Sequence, residues 1–308
     1  MKTRSWFILL AALLTLGLVA AGCGDDDSDG ASGGGGGGDD IEGPTIRIRG
    51  QDFSENITLA EVYGQYLDEK GYDVEIVTAA GFRTEALDAL ESGESDLVID
   101  YIGGDQTALA PDTETSADPA EVVEVITPLL EEKGLSLLDH SEAANGDALV
   151  VRGDSEAESI SDLVGLDYVF GGAAECYERP QCFPGFTSPD VYGIEFSDTR
   201  TIEFGPQLGQ SLAAEEVDAV MWGTTAPEIE EQGFKILEDD KGLFPAQNIA
   251  PIIRSELLEE YASLAEDLNA LSEAISTEDL VAWNKATDID KRESDDVAEE
   301  WLEGSGLV

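Results

Sequence analysis

Ala86–Asp105 reads ALDALESGESDLVIDYIGGD. Ala86, Leu87, Ala89 and Leu90 recur at helical spacing, which predicts a short amphipathic helix. Ser92-Gly93 stops it. Leu97, Val98 and Ile99 form a brief apolar run between turn signals, the pattern of a buried parallel strand. That strand ends in Asp100-Tyr101 and runs into Gly103-Gly104-Asp105. In an open α/β sheet a ligand sits beyond the carboxyl ends of the strands. The segment therefore sets an aromatic ring, two carboxylates and permissive glycines where a ligand would be received.

Working outward, strand and helix signals alternate. Thr45–Arg49 alternates with period two, and Gly50 turns the chain. Glu55–Lys70 carries Ile57, Leu59, Ala60, Tyr63, Tyr66 and Leu67 on one helical face, and Tyr72–Val77 is the next strand. Ala120–Lys133 follows as a helix. This order implies a mainly parallel sheet with helices on both faces.

A second set begins near Asp147. Ala148–Val151 is a strand, Ser159–Leu163 a short helix and Asp167–Phe170 a strand. A long polar loop then holds Cys176, Arg179 and Cys182. Thr199–Phe204 is a strand, Gln207–Ala214 a helix and Val217–Trp222 a buried strand. Thr224–Pro227 starts a helix, and Phe234–Glu238 is one more strand. From about Asn248 the chain reads Ile249–Ile253 and then helices over Ser255–Asn269, Leu271–Ser276, Thr277–Lys285 and Ser294–Gly304, with no complete sheet of its own.

Composition narrows the function. The 308 residues suffice for about two domains. Asp and Glu number 67 against 16 Lys and Arg, a formal net charge of −51. Nucleic acid needs a basic face, so the acidic excess argues against it as a partner. It argues equally against attraction to an anionic membrane through charge. The excess points to a surface adapted to high salt, where carboxylate repulsion is screened. His140 is the single histidine, which removes most Ser/His and Cys/His triads. Carboxylate-only hydrolysis is the remaining enzymatic alternative, but no spacing singles out a pair. No metal or cofactor is expected.

The N-terminus is a targeting segment. Lys2 and Arg4 precede an apolar run from Trp6 to Ala21, and Val19-Ala20-Ala21-Gly22 leads into Cys23. The run is too short for a mature membrane span. It resembles the bacterial lipoprotein signal, which implies cleavage after residue 22 and acylation of Cys23. Residues 23–43 are rich in Gly and Asp, a flexible tether reaching roughly 25 Å. Cys176 and Cys182 then remain as an even pair in an exported chain, which predicts a disulfide.

The stretches QDFSENITLAEVYGQYLDEKGY, SGESDLVIDYIGGD, GGAAECYERPQCFPGFTSPDVYGIEF and LEDDKGLFPAQNIAPIIR, with the acidic helices ending EEWLEGSGLV, resemble the substrate-binding proteins of osmoprotectant ABC importers. The resemblance covers nearly everything after Pro44. It implies an α/β, two-lobed, periplasmic-binding-protein-like clamp of type II. Two hinge crossovers would fall near Asn145–Leu149 and Gln247–Pro251. Lobe 1 would be 44–146 plus 247–308, and lobe 2 would be 147–246. The family holds the cation of glycine betaine, choline or carnitine in a cage of aromatic rings. A quaternary ammonium has no N–H to donate, so ring faces receive it.

By the same resemblance Tyr101 matches a cage tyrosine, with Ile102 and Gly104 replacing two threonines. Gln51 stands where lysine is frequent and Asn56 where glutamine is. Asp147 and Gln247 stand at aromatic positions, and Trp222 lies beside a third, at Gly223. Arg179 matches an Arg-Pro pair that contacts a ligand carboxylate or bridges the lobes. Asp147, Gln247 and Asn56 would equally serve a more polar solute. The implied function is a monomeric, non-enzymatic binding protein, lipid-anchored on the outer face of the cytoplasmic membrane. It would deliver a small zwitterionic or cationic solute to an ABC permease. The alternatives are an anchored sensor for a different polar solute and the carboxylate hydrolase.

Overall fold

The structure, a computed structural model, describes residues 41–77, 81 and 83–308. The signal segment, Cys23 and the tether up to residue 40 lie outside the described residues. Among the described residues ten strands form two five-stranded sheets. In chain order they are β1 (Ile46–Arg49), β2 (Val74–Val77), β3 (Leu97–Tyr101), β4 (Leu135–Leu137), β5 (Asp147–Val151), β6 (Val169–Gly172), β7 (Asp198–Thr201), β8 (Ala219–Gly223), β9 (Lys235–Ile236) and β10 (Ile249–Arg254). The first sheet has the order β2-β1-β3-β10-β4 and the second β7-β6-β8-β5-β9.

One strand in each sheet runs against the other four. In the first sheet it is β10, antiparallel to both β3 and β4. In the second it is β5, antiparallel to β8 and β9. These are the strands that enter each sheet directly from the other one. The expected mainly parallel arrangement thus holds for four strands of five. The exception follows from connectivity: a chain entering without a crossover helix arrives in the opposite direction. The two crossing segments pair with each other through a bridge between Ala144 and Asn248, flanked by Asn145 N–H to Gln247 O (3.2 Å) and Ile249 N–H to Ala143 O (3.0 Å). That double strand is the hinge of a two-lobed, type II clamp.

The helices follow the chain as α1 (Ser54–Glu69), α2 (Arg83–Ser92), α3 (Ile102–Leu109), α4 (Pro119–Glu131), α5 (Phe183–Thr187), α6 (Pro206–Ala213), α7 (Pro227–Glu231), α8 (Ser255–Glu260), α9 (Leu264–Ala274), α10 (Thr277–Asn284) and α11 (Ser294–Ser305). All five β3 positions are buried, and its side chains alternate between two cores. Leu97, Ile99 and Tyr101 pack with α1 and the C-terminal helices, while Val98 packs with α2 and α4. Lobe 2 has its own apolar cores around Phe170, Phe186 and Trp222.

Three local expectations differ from the structure. Gly103-Gly104, read as permissive glycines beyond the strand end, form the opening of α3. The glycines serve close packing there. A Cβ on Gly103 would run into the Ala246 carbonyl oxygen at the hinge, and one on Gly104 into the Arg83 guanidinium. The helix expected over Ser255–Asn269 is two helices, broken at Tyr261. That ring is buried, meets Tyr72 edge-on at 5.2 Å and donates its hydroxyl to the Pro44 carbonyl (2.5 Å). The strand expected to reach Phe204 ends at Thr201, which frees Phe204 from the sheet. Cys176 and Cys182 are joined as a disulfide, Cα atoms 5.2 Å apart. Among the described residues no helix is long and apolar enough to cross a membrane.

Candidate functional site

A cavity of about 400 Å³ lies at the hinge between the two sheets. Lobe 1 lines it with Phe53 and Glu55 at the start of α1, and with Asn284, Asp288 and Lys291 from the C-terminal segment. The hinge contributes Asn145. Lobe 2 contributes Phe204, Trp222, Thr225 and Glu228. Strand ends and helix starts converge here because each right-handed β-α step carries the chain from a strand's carboxyl end into a helix.

Glu55 is the buried charge of the cavity, 2% exposed. Its Oε1 accepts from the Tyr101 hydroxyl (2.6 Å) and Asn145 Nδ2 (2.8 Å). Its Oε2 accepts from Asn284 Nδ2 (2.5 Å). All three donors are neutral. The Tyr101 hydroxyl is pushed well above its ordinary pKa, first by burial and then by the Glu55 carboxylate, so it stays a donor at neutral pH. Its ring stacks on Phe53, centroids 6.1 Å apart and planes 30° apart. Tyr101 therefore stands behind Phe53 and Glu55, while those two face the cavity.

Trp222 closes the far wall. It is 2% exposed and packs on α6, where a Cβ on Gly209 would come within 2.7 Å of its ring. Phe204 at the mouth is 61% exposed. The lobes also meet across the cleft. Asn284 Nδ2 reaches the Thr225 carbonyl (3.2 Å) and hydroxyl (3.1 Å), and Lys285 pairs with Glu231 at 2.5 Å. Asn284 is placed by a capping box of Ser276 and Asp279 at the start of α10, and a π-helical turn follows at Lys285–Ile289.

Of the residues marked from the sequence, Trp222 lines the cavity and Tyr101 supports it. The other five do not line it. Asn56 is used by the backbone, accepting from Gln51 N–H (2.6 Å) and donating to the Ile99 carbonyl (2.8 Å). Gln51 is buried, and its Nε2 has no hydrogen-bond partner. Gln247 Oε1 accepts from Gly104 N–H (3.1 Å), tying the hinge to α3. Asp147 and Arg179 form a two-pronged ion pair at 3.0 Å on both arms. Burial raises the Asp147 carboxyl above its ordinary pKa, with Arg179 opposing that shift. The pair leaves neither charge free.

Phe53, Glu55, Asn145, Phe204 and Asn284 carry no signal of their own in the sequence. Glu55 reads as an ordinary first-turn acid of an amphipathic helix. Phe204 reads as the end of a strand. A distinct cluster lies on the opposite face of β3, where Arg83 pairs with Asp100 (2.8 Å) and lies 3.3 Å from Asp105. Burial first, and then Asp100, pushes the Asp105 carboxyl well above its ordinary pKa. Among the described residues no group of three His, Cys, Asp or Glu side chains could hold a metal ion.

Fold and cleft together define a two-lobed solute-binding clamp. Residues 44–304 match the family described as the substrate-binding domain of ABC-type glycine betaine transport systems, and the chain belongs to that family. A glycine-betaine-binding protein of Pseudomonas aeruginosa is 27% identical over 285 residues, covering 87% of this chain and 90% of the relative. The carnitine transport binding protein OpuCC of Listeria monocytogenes is 23% identical, covering 84% and 86%. A crystal structure titled glycine betaine/carnitine/choline ABC transporter superposes with a TM-score of 0.78 at 24% identity, covering 85% of this chain and 99% of that one.

Proposed function

We propose that this protein receives a quaternary-ammonium compatible solute in the cleft and delivers it to the permease of an ABC importer. The observation that carries this reading is three aromatic rings, Phe53, Phe204 and Trp222, on a cavity whose buried charge is the Glu55 carboxylate. A permanent cation has no N–H and is held by ring faces, each contributing about 0.5–2 kcal/mol. Its charge is balanced by the carboxylate. Tyr101 orients Glu55. Gln51, Asn56 and Gln247 brace the loops that carry the cavity. The Asp147–Arg179 pair, beside the Cys176–Cys182 loop, shapes lobe 2.

The lobes would divide as 44–146 plus 247–308, and 147–246. Residues 1–22 would be removed, with lipid on Cys23 and the tether holding a monomer outside the cytoplasmic membrane. Membrane fractionation of Cys23→Ala checks the anchor: the variant should be lost from the membrane fraction. The acidic surface suits high salt, so the melting temperature should rise with KCl, and a flat response would discount that adaptation.

Titration calorimetry with choline, glycine betaine and carnitine tests the main reading. At least one should bind, and Trp222→Ala should weaken it tenfold or more, equivalent to about 1.4 kcal/mol. A chain that ignores all three and binds a neutral polyol would refute the cage.

A further inference from the structure

We propose that Lys285 of lobe 1 and Glu231 of lobe 2, with the Asn284–Thr225 hydrogen bonds beside them, form a latch that sets how long the clamp stays shut on its solute. The inference rests on the solute-binding reading above and adds to it the residues that govern release.

The first argument is position. Asn284 and Lys285 are consecutive, at the end of α10 and the start of the π-helical turn. Both reach into lobe 2. Asn284 Nδ2 donates to the Thr225 carbonyl (3.2 Å) and hydroxyl (3.1 Å), just ahead of α7, and both residues are buried. Lys285 meets Glu231, the last residue of α7, at 2.5 Å. Two neighbouring side chains of one lobe thus grip both ends of a helix in the other. Arg83 and Arg179, by contrast, pair inside their own lobes. Contacts that cross the cleft exist only while the lobes are close, so they favour the shut arrangement over the open one. Asn284 Nδ2 also donates to Glu55 Oε2 (2.5 Å), so the same amide joins the cavity's charge to the far lobe.

The second argument is charge. The short helix α7 carries Glu228, Glu230 and Glu231, and the lobe 1 segment that carries Lys285 also carries Asp288 and Asp290. On a chain with a formal net charge of −51, like-charge repulsion opposes bringing these carboxylates together. Lys285 lies among them. Its hydrogen bond to Glu231 holds the ammonium above its ordinary pKa, and the charges of Asp290 and Glu230 add to that. One cation therefore offsets acids from both lobes. Lys285 is 48% exposed and Glu231 37%, so the pair is modest in strength and weakened by salt. A modest contact suits a joint that must part at each delivery.

Hydrogen exchange read by mass spectrometry on the full chain, at fixed ionic strength, tests this in wild type, in Lys285→Glu and in Lys285→Glu combined with Glu231→Lys. Lys285→Glu is expected to speed exchange about threefold across residues 224–232, which belong to the other lobe. The double variant is expected to return that segment toward the wild-type rate. Faster exchange confined to residues 285–291 marks a local structural role and overturns the latch, as does a double variant that rescues nothing. With glycine betaine as probe, stopped-flow tryptophan fluorescence is expected to show Lys285→Glu releasing it about threefold faster, with association little changed. Unchanged release beside faster exchange overturns the role in retention. A wild type that binds none of glycine betaine, choline and carnitine overturns the proposed function instead, and the exchange rates still decide whether the lobes are latched.

Discussion

Asp100 and Tyr101 are neighbours on β3 and point to opposite faces, each toward a buried acidic cluster. On one face Asp100 and Asp105 share a guanidinium, Arg83. On the other, Tyr101 reaches Glu55, whose donors are all neutral and which fronts a 400 Å³ cavity. Asp100 has its own cation in Arg83, which also reaches Asp105 and so braces α2 against α3. A buried carboxylate held only by neutral groups keeps its charge available. The contrast separates a structural cluster from a binding one within a single strand.

The largest expected effect breaks the first cluster. Arg83→Met leaves Asp100 buried without its cation and should cost about 3–5 kcal/mol in urea unfolding. Glu55→Gln, by the same measurement, should cost less, about 1–2 kcal/mol, since it keeps the side-chain shape but turns an amide N–H₂ toward a buried donor. Equal costs would erase the distinction drawn above. Asn284→Ala comes next. It removes a donor from Glu55 and the tie to Thr225, so unfolding free energy should fall by about 1–2 kcal/mol. Affinity for a quaternary ammonium should fall roughly tenfold. Affinity unchanged beside lost stability would make Asn284 a packing residue only.

The smallest effect lies in pH. Burial in the folded state raises the Asp105 carboxyl well above its ordinary value of 3.8, so the fold binds its proton more tightly than the unfolded chain does. That contribution is fully present below 3.8 and is lost as pH rises through the raised value. Asp105→Asn lacks this loss. Relative to wild type, the variant should therefore be more stable at pH 7 than at pH 4 in paired urea titrations. The reverse trend would mean that Asp105 is stabilised as the anion by Arg83.

The order of strands and helices was legible in the chain, because the signals are local. Periodicity located the cores of α1, α4 and β3, and the Ser276–Asp279 pattern announced the start of α10. Trp222 and Tyr101 could be marked because aromatic residues at strand ends stand out on their own. The glycines of α3 could not be read correctly, since the reason for them is the Ala246 carbonyl, far along the chain. Arg179 and Asp147 looked like free charges because nothing local shows that they meet. Glu55 and Asn284, 229 positions apart, become one unit only where α1 and α10 converge on the hinge. Sequence by itself determined which segments are helix or strand, for those choices depend on neighbours within a few residues. Tertiary structure alone decided which buried charges are neutralised and which face open space, because pairing is set by distance in space, and no local pattern encodes it.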